Sequence, residues 1–267
     1  MNLVLLSGGS GKRLWPLSNE IRSKQFIKLF QTEKGIHESM VQRMFRQIKE
    51  VDQEAHITVA TSKTQASAIQ NQLGEGVDIC VEPCRRDTFP AIALATLYLR
   101  DVQGKGEEEV VVVCPVDPFV NRDYFESLLE LDRLAAQGKA KLSLLGMKPT
   151  YPSAKYGYIL PVENAEVSAV KEFKEKPTEQ VAAQYIAQGG LWNGGIFAFQ
   201  IGYLCKKIEE ITGLTNYKEI WDAYETLDKI SFDYQVVEKE DSVQVLRFLG
   251  DWKDLGTWNT LTEAMPE

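Results

Sequence analysis

The sequence predicts an α/β protein: a mixed, mostly parallel sheet flanked by helices, in a single principal domain over residues 1–267. Two features predict this. Short β-branched runs alternate with longer stretches of helical periodicity through the first half, the pattern of β-α-β units. A chain of 267 residues that is 44% apolar is also long enough to bury a large core.

The first expected strand, Leu3–Leu6, is a run of four apolar residues bounded by small ones, as suits a strand covered on both faces. It empties into Ser7-Gly8-Gly9-Ser10-Gly11-Lys12-Arg13-Leu14. Three glycines free the backbone to take positive φ, so that its N–H groups can press against an anion. Lys12, Arg13 and Lys24 add cations, the arginine as a planar fork and the lysines as point charges. Two better-known phosphate loops are excluded. The dinucleotide fingerprint needs a glycine where Leu14 stands, and the P-loop needs Ser or Thr where Arg13 stands. A polyphosphate ligand fits this chemistry; a tight strand-to-helix turn with solvated charges is the plain alternative.

Further strands are expected at His56–Ala60, Asp78–Val81, Val110–Cys114 and Lys141–Leu145, between helices Ile36–Lys49, Lys63–Leu73, Thr88–Asp101 and Arg122–Gln137. Asp87 is placed to cap the third helix, with Pro90 in its first turn. The second half has shorter strands, Tyr156–Leu160, Val167–Glu175 and Ile196–Gln200. Helices Glu179–Gln188, Ile201–Ile211 and Tyr217–Leu227 follow, then a last strand, Val243–Phe248.

Val110–Cys114 is apolar enough to be central and ends in Pro115-Val116-Asp117-Pro118. Ligands of open parallel sheets gather outside the carboxyl ends of the strands, so Asp117 is expected to face the same crevice as the glycine loop. A carboxylate beside phosphates calls for a divalent metal with hard oxygen ligands. Asp254, rather than Asp251, in the segment Trp252-Lys253-Asp254-Leu255-Gly256-Thr257-Trp258 is the second candidate ligand. The alternatives are that Asp117 only starts a turn before Pro118 and that the tryptophans are core anchors.

Several classes are excluded. A net charge of −8 argues against a nucleic-acid surface. No apolar stretch approaches the roughly 18 residues that span a bilayer, and residues 1–6 lack a charged leader, so a cytoplasmic protein without a membrane partner is expected. Cys80, Cys84, Cys114 and Cys205 read as free thiols, without zinc spacing. Neither His37 nor His56 stands in a catalytic pattern, and no Ser-His-Asp or Cys-His arrangement appears. Phosphoryl or nucleotidyl transfer, which works by positioning and charge neutralisation, remains.

An ordered set of segments carries a resemblance over nearly the whole chain. In order it comprises the stretch from Leu6 to Ser18, Lys24-Gln25-Phe26, Glu82-Pro83, Arg86-Asp87-Thr88, Pro115-Val116-Asp117, Tyr156-Gly157-Tyr158-Ile159, Phe173-Lys174-Glu175-Lys176-Pro177, Leu191-Trp192-Asn193-Gly194-Gly195 and the Trp252–Trp258 segment. Together they resemble the sugar-phosphate nucleotidyltransferases, most closely the mannose-1-phosphate guanylyltransferases. The resemblance implies a Rossmann-like, glycosyltransferase-A-like sheet. Its nucleotide half would cover about 1–140 and its sugar-phosphate half about 141–267. It further implies that Ser7, Gly8, Gly9, Gly11, Lys12, Arg13, Glu82, Arg86 and Asp87 hold the nucleoside triphosphate, and that Arg13, Lys24 and Asp117 are catalytic. Asp117 and Asp254 would hold Mg²⁺, and Gly157, Glu175, Lys176 and Asn193 would bind the sugar phosphate. The implied reaction joins GTP and mannose 1-phosphate into GDP-mannose and pyrophosphate for polysaccharide synthesis, with a homodimer kept open as the assembly.

This sequence departs from the family pattern at Arg85, where glycine is usual, Asp87 for asparagine, Pro118 for histidine and Gly194 for serine. Those positions leave room for a cytidylyltransferase acting on another phosphomonoester, a heptose-phosphate guanylyltransferase, or a non-catalytic nucleotide-sugar sensor. Outside the ordered context, Glu175-Lys176-Pro177 would read as a surface salt pair and Asn193-Gly194 as a hairpin turn.

Overall fold

Alternation along the strands builds two apolar layers. In β1 (Asn2–Ser7), Leu3 and Leu5 bury into one layer and Val4 into the other. In β6 (Val110–Pro115), Val110, Val112 and Cys114 oppose Val111 and Val113 in the same way. Both strands are apolar on two faces because helices cover both faces. The structure is a computed structural model that describes residues 1–8 and 23–254, Asp254 by its backbone alone.

The remaining strands are β2 (Phe30–Gln31), β3 (His37–Glu38), β4 (His56–Ser62), β5 (Asp78–Glu82), β7 (Pro118–Val120) and β8 (Leu142–Met147). They continue with β9 (Gly157–Pro161), β10 (Val167–Lys174), β11 (Leu191–Gln200), β12 (Val243–Phe248) and β13 (Trp252–Asp254). With β1 and β6, seven of them form one nine-stranded sheet in the order β5-β4-β1-β6-β11-β8-β12-β10-β9, which runs through both halves of the chain. β2 pairs with β3 and β7 with β13 in two small ribbons.

One layer is formed under α1 (Met40–Val51), α2 (Lys63–Leu73), α4 (Arg122–Ala136) and α5 (Glu179–Ala187). The other lies under α3 (Thr88–Asp101), α6 (Ile201–Thr212), α7 (Tyr217–Asp222) and α8 (Phe232–Gln235). α3 is the most enclosed helix, with ten buried residues from Phe89 to Leu99.

The sheet is less parallel than expected. Four of its strand pairs are parallel (β1 with β4 and with β6, β4 with β5, β8 with β12), whereas five are antiparallel. The antiparallel pairs all involve the second-half strands β9, β10 and β11. β11 is also longer than the expected Ile196–Gln200, because Gly194-Gly195 interrupts the apolar pattern without ending the strand. α1 starts later than expected, where Ser39 Oγ accepts from Gln42 N and Gln42 Oε1 accepts from Ser39 N, a reciprocal cap. The expected helix Tyr217–Leu227 breaks into α7 and a 3₁₀ turn at Tyr224–Thr226. All four cysteines are free thiols. Among the described residues no helix is long and apolar enough to cross a membrane.

Phe199 on β11 is fully buried, stacked on Phe232 with ring centroids 5.9 Å apart. Phe199→Ala is expected to lower the unfolding free energy in urea by roughly 3–5 kcal/mol, while Val102→Ala, at a 54% exposed position, shifts it by no more than about 0.5 kcal/mol. Equal effects of the two substitutions would contradict the layered core.

Candidate active site

The carboxyl ends of β1, β5 and β6 open onto a cleft of about 600 Å³, walled by Ser7, Gly8, Glu82, Arg86, Asp87 and Asp117, with Gln25, Arg85 and Lys229 completing its polar lining. The place where the chain leaves β1 is pinned by a buried polar network. Gln25 Nε2 donates to Ser7 Oγ at 2.6 Å and to Gln65 Oε1 at 3.1 Å, and Thr61 Oγ1 donates to Ser7 O at 3.0 Å. Every one of these groups is buried, so each bond removes a desolvation cost as well as fixing geometry.

Lys24 Nζ lies 2.8 Å from Asp117 Oδ2, both side chains partly open to solvent. Glu82 closes the cleft from β5. It is buried, and its Oε2 accepts from Tyr224 OH at 2.7 Å. Burial pushes the Glu82 carboxyl up, while the Tyr224 bond and the charge of Arg85 pull it back. Arg86 lines the cleft and has a buried Nε without a hydrogen-bond partner. Asp87 caps α3 as the sequence predicts, Oδ1 accepting from Thr88 N at 2.7 Å, and does so with φ of +73°.

A second cluster of polar residues forms where β11 pairs with β8 and β9. Asn193 stands opposite Gly146 of β8 and Gly157 of β9, at the carboxyl end of β8. Its Nδ2 donates to Asp233 Oδ1 at 2.6 Å and its Oδ1 accepts from Gly195 N at 3.1 Å. The hairpin alternative for Asn193-Gly194 is thereby replaced. The pair lies inside β11, whose register shifts between Asn193 and Phe197, with Gly195 at φ of +74°.

Glu175 is buried, which separates it from a surface salt pair. Its Oε1 meets Lys176 Nζ at 2.6 Å, and its N–H donates to Glu238 Oε1 at 3.0 Å. Burial is the largest single influence and works against the Lys176 charge, but the Glu175 bond together with the charges of Glu175 and Asp233 raises the ammonium pKa. Gly157 is required here, because a Cβ would collide with Glu175 Oε2 and come within 3.3 Å of Asn193 Cβ.

The structure therefore brings Gly157, Glu175, Lys176 and Asn193 together, as it does Ser7, Gly8, Glu82, Arg86, Asp87, Lys24 and Asp117. Asp233 was not legible beforehand. It lies in a short helix with no motif, and burial plus the Glu175 charge push its carboxyl up to about 7. Lys229 and Tyr224 belong to the same overlooked stretch, whereas Gln25 was in plain view beside Lys24. Asp87 and Lys176, at φ of +45°, are the two non-glycine residues of positive φ among those described, and both stand in this region.

Gly9, Gly11, Lys12 and Arg13 lie outside the described residues. Asp254 is described by its backbone, which pairs opposite Pro118 in the β7–β13 ribbon, next to Asp117. No group of three or more metal-binding side chains occurs among the described residues. Asp117, a partly exposed carboxylate on the cleft wall, is the kind of hard oxygen ligand that suits Mg²⁺, which takes one or two carboxylates and completes its shell with phosphates and water.

Comparison with known proteins identifies the family. The Nucleotidyl transferase family model matches residues 2–267. The xanthan biosynthesis protein XanB of Xanthomonas campestris pv. campestris (strain B100) is 32% identical over 282 residues, covering 98% of this chain and 58% of that protein. A mannose-1-phosphate guanylyltransferase of Klebsiella pneumoniae is 28% identical over 292 residues, covering 99% and 60%. The chain thus spans under two thirds of the length of these curated relatives. A solved structure described as mannose-1-phosphate geranyltransferase from Thermus thermophilus superposes with a TM-score of 0.80 at 29% identity, covering 98% of this chain and 78% of that one. With a family match along its length and the mixed α/β fold of such proteins, the chain belongs to the nucleotidyl transferase family.

Proposed function

We propose that the chain joins a nucleoside triphosphate, GTP by preference, to a sugar 1-phosphate, mannose 1-phosphate by preference, giving GDP-mannose and pyrophosphate. The observation that carries this reading is the placement of a polar cleft and a second polar cluster at the carboxyl ends of strands of one sheet. The cleft holding Glu82, Arg86 and the Lys24–Asp117 pair opens at the carboxyl ends of β1, β5 and β6, and the Glu175–Lys176–Asn193 cluster stands at that of β8. The names of the relatives support the choice of mannose 1-phosphate.

The chemistry is an in-line displacement. A phosphate oxygen of the sugar 1-phosphate forms a bond to the α-phosphorus, the bond from that phosphorus to the β-phosphate bridging oxygen breaks, and pyrophosphate leaves with the electron pair. The attacking oxygen is already an anion, so no general base is needed, consistent with the lack of a catalytic histidine pattern. Lys176 would steer the sugar phosphate and Glu175 would accept from sugar hydroxyls. Lys24 would neutralise charge on the triphosphate, with Arg13 assigned the α-phosphate by the family resemblance. Asp117 and Asp254 would hold Mg²⁺, which when bound offsets phosphate charge.

Glu82 favours guanine, since a carboxylate can accept from the adjacent N1–H and N2–H donors of that base at once. One feature favours the competing cytidylyl reading: Arg85, in the cleft wall beside Glu82, could donate to the O2 and N3 acceptors of cytosine.

The deciding experiment presents the four nucleoside triphosphates with mannose 1-phosphate, a heptose phosphate and a polyol phosphate in the presence of Mg²⁺, and follows pyrophosphate release. GTP with mannose 1-phosphate is expected to give the highest kcat/KM. Faster turnover with CTP would overturn the base assignment, and none with any pair would favour a sensor.

Asp233 supplies an independent prediction. Its folded pKa of about 7 exceeds the unfolded value, so between about pH 4 and 7 the folded state binds more protons than the unfolded one and stability falls as pH rises. Relative to Asp233→Asn, the wild type is expected to lose on the order of 1–4 kcal/mol over that window and nothing further above it. Parallel urea-denaturation profiles for the two proteins from pH 4 to 8 would rule this out.

A further inference from the structure

The segment from Tyr224 to Asp233 reaches both the cleft, through Lys229, and the second polar cluster, through Asp233, and its first residue has no role in the reaction scheme above. Tyr224 is fully buried in the layer under α3, and its hydroxyl donates to Glu82 Oε2 at 2.7 Å across 142 residues of sequence. The segment is anchored to the start of α3 on the cleft side: Phe89 N donates to Ile230 O at 3.2 Å, and Phe232 N donates to Thr88 Oγ1 at 2.9 Å. The phenol is thus held by packing and by its surrounding backbone, and it engages one carboxylate oxygen of Glu82. The other oxygen, Oε1, is turned toward Gly8, 3.9 Å from where a Cβ on that glycine would stand, on the wall of the cleft.

We propose that Tyr224 is a positioning residue for base selection, clamping Oε2 of Glu82 so that the carboxylate plane and its free oxygen are presented to the base edge. The inference rests on the reading of Glu82 as the acceptor for the base. A carboxylate tethered at one oxygen cannot rotate away from a two-donor edge, and it stays hydrogen-bonded in a buried setting where an unpartnered carboxylate would be costly. Without the phenol the same carboxylate is free to turn, and a base offering one donor is then accepted almost as well as one offering two.

The test compares GTP with inosine triphosphate, which keeps N1–H and lacks the N2 amino group. Wild type is expected to favour GTP in kcat/KM by roughly 10-fold or more, the worth of one hydrogen bond to a charged group. Tyr224→Phe, which keeps the packed ring, is expected to bring that ratio to within about 3-fold, mainly through a higher KM for GTP. A general structural role would weaken both nucleotides alike and leave the ratio unchanged, and that outcome overturns the proposal. Should Tyr224→Phe fail to fold, Glu82→Gln replaces it: collapse of the ratio supports the clamped acceptor, and retention overturns it. If wild type prefers another triphosphate, the guanine reading falls. Tyr224 is then judged by the same criterion on the ratio between that nucleotide and GTP.

Discussion

The bulge in β11 is the constraint on which the rest of this structure depends. Phe197–Gln200 hydrogen-bond to β6 of the first half, and Leu191–Asn193 to β9 of the second, with β8 alongside both stretches. One strand can change neighbours this way only if its register slips, and the slip falls between Asn193 and Phe197, eased by the positive φ of Gly195. Asn193 closes the distortion through its own bond to Gly195 N. Strands β11, β8, β12, β10 and β9 thereby become a closed circuit of hydrogen-bonded neighbours, so β9 presents no free edge over its first residues. The side chain that stabilises the bulge also bonds Asp233 in the second polar cluster.

Around this frame the energetics divide by layer. The apolar faces of β1 and β6 supply burial on both sides of the sheet, whereas polar groups concentrate at its carboxyl end in bonded sets: Gln25 with Ser7 and Gln65, Glu82 with Tyr224, and Asn193 with Asp233. Strain collects there too. Asp87 offsets its positive φ by capping α3, and Lys176 does so beside a 2.6 Å ion pair to Glu175. Buried carboxylates and left-handed residues do little for stability, and their clustering is what marks the region as functional.

Much of this was legible in the residues. Continuous apolar runs at Leu3–Leu6 and Val110–Cys114 placed the central strands, and the position of Asp87 before Pro90 placed a helix cap. Asp117 could be placed at the cleft because it follows a central strand. The antiparallel character of the second half was not legible, since periodicity reports which faces are buried and says nothing of strand direction. Taken alone, Asn193-Gly194 reads as a hairpin turn because local propensity cannot reveal that β8 and β9 flank Asn193 on either side. Tyr224, Lys229 and Asp233 escaped notice because their roles arise from contacts as distant as 142 residues, with no local pattern.

The central claim is that the cleft and the second polar cluster serve one reaction at one end of the sheet. A crystal structure of the chain with GDP-mannose and Mg²⁺ tests it most directly. The account predicts the guanine edge within hydrogen-bond distance of Glu82, the diphosphate alongside Lys24 and Asp117, and the sugar between Glu175 and Asn193. A nucleotide seated at the Glu175–Asn193 cluster, or a diphosphate bound away from the carboxyl ends of the strands, would contradict it.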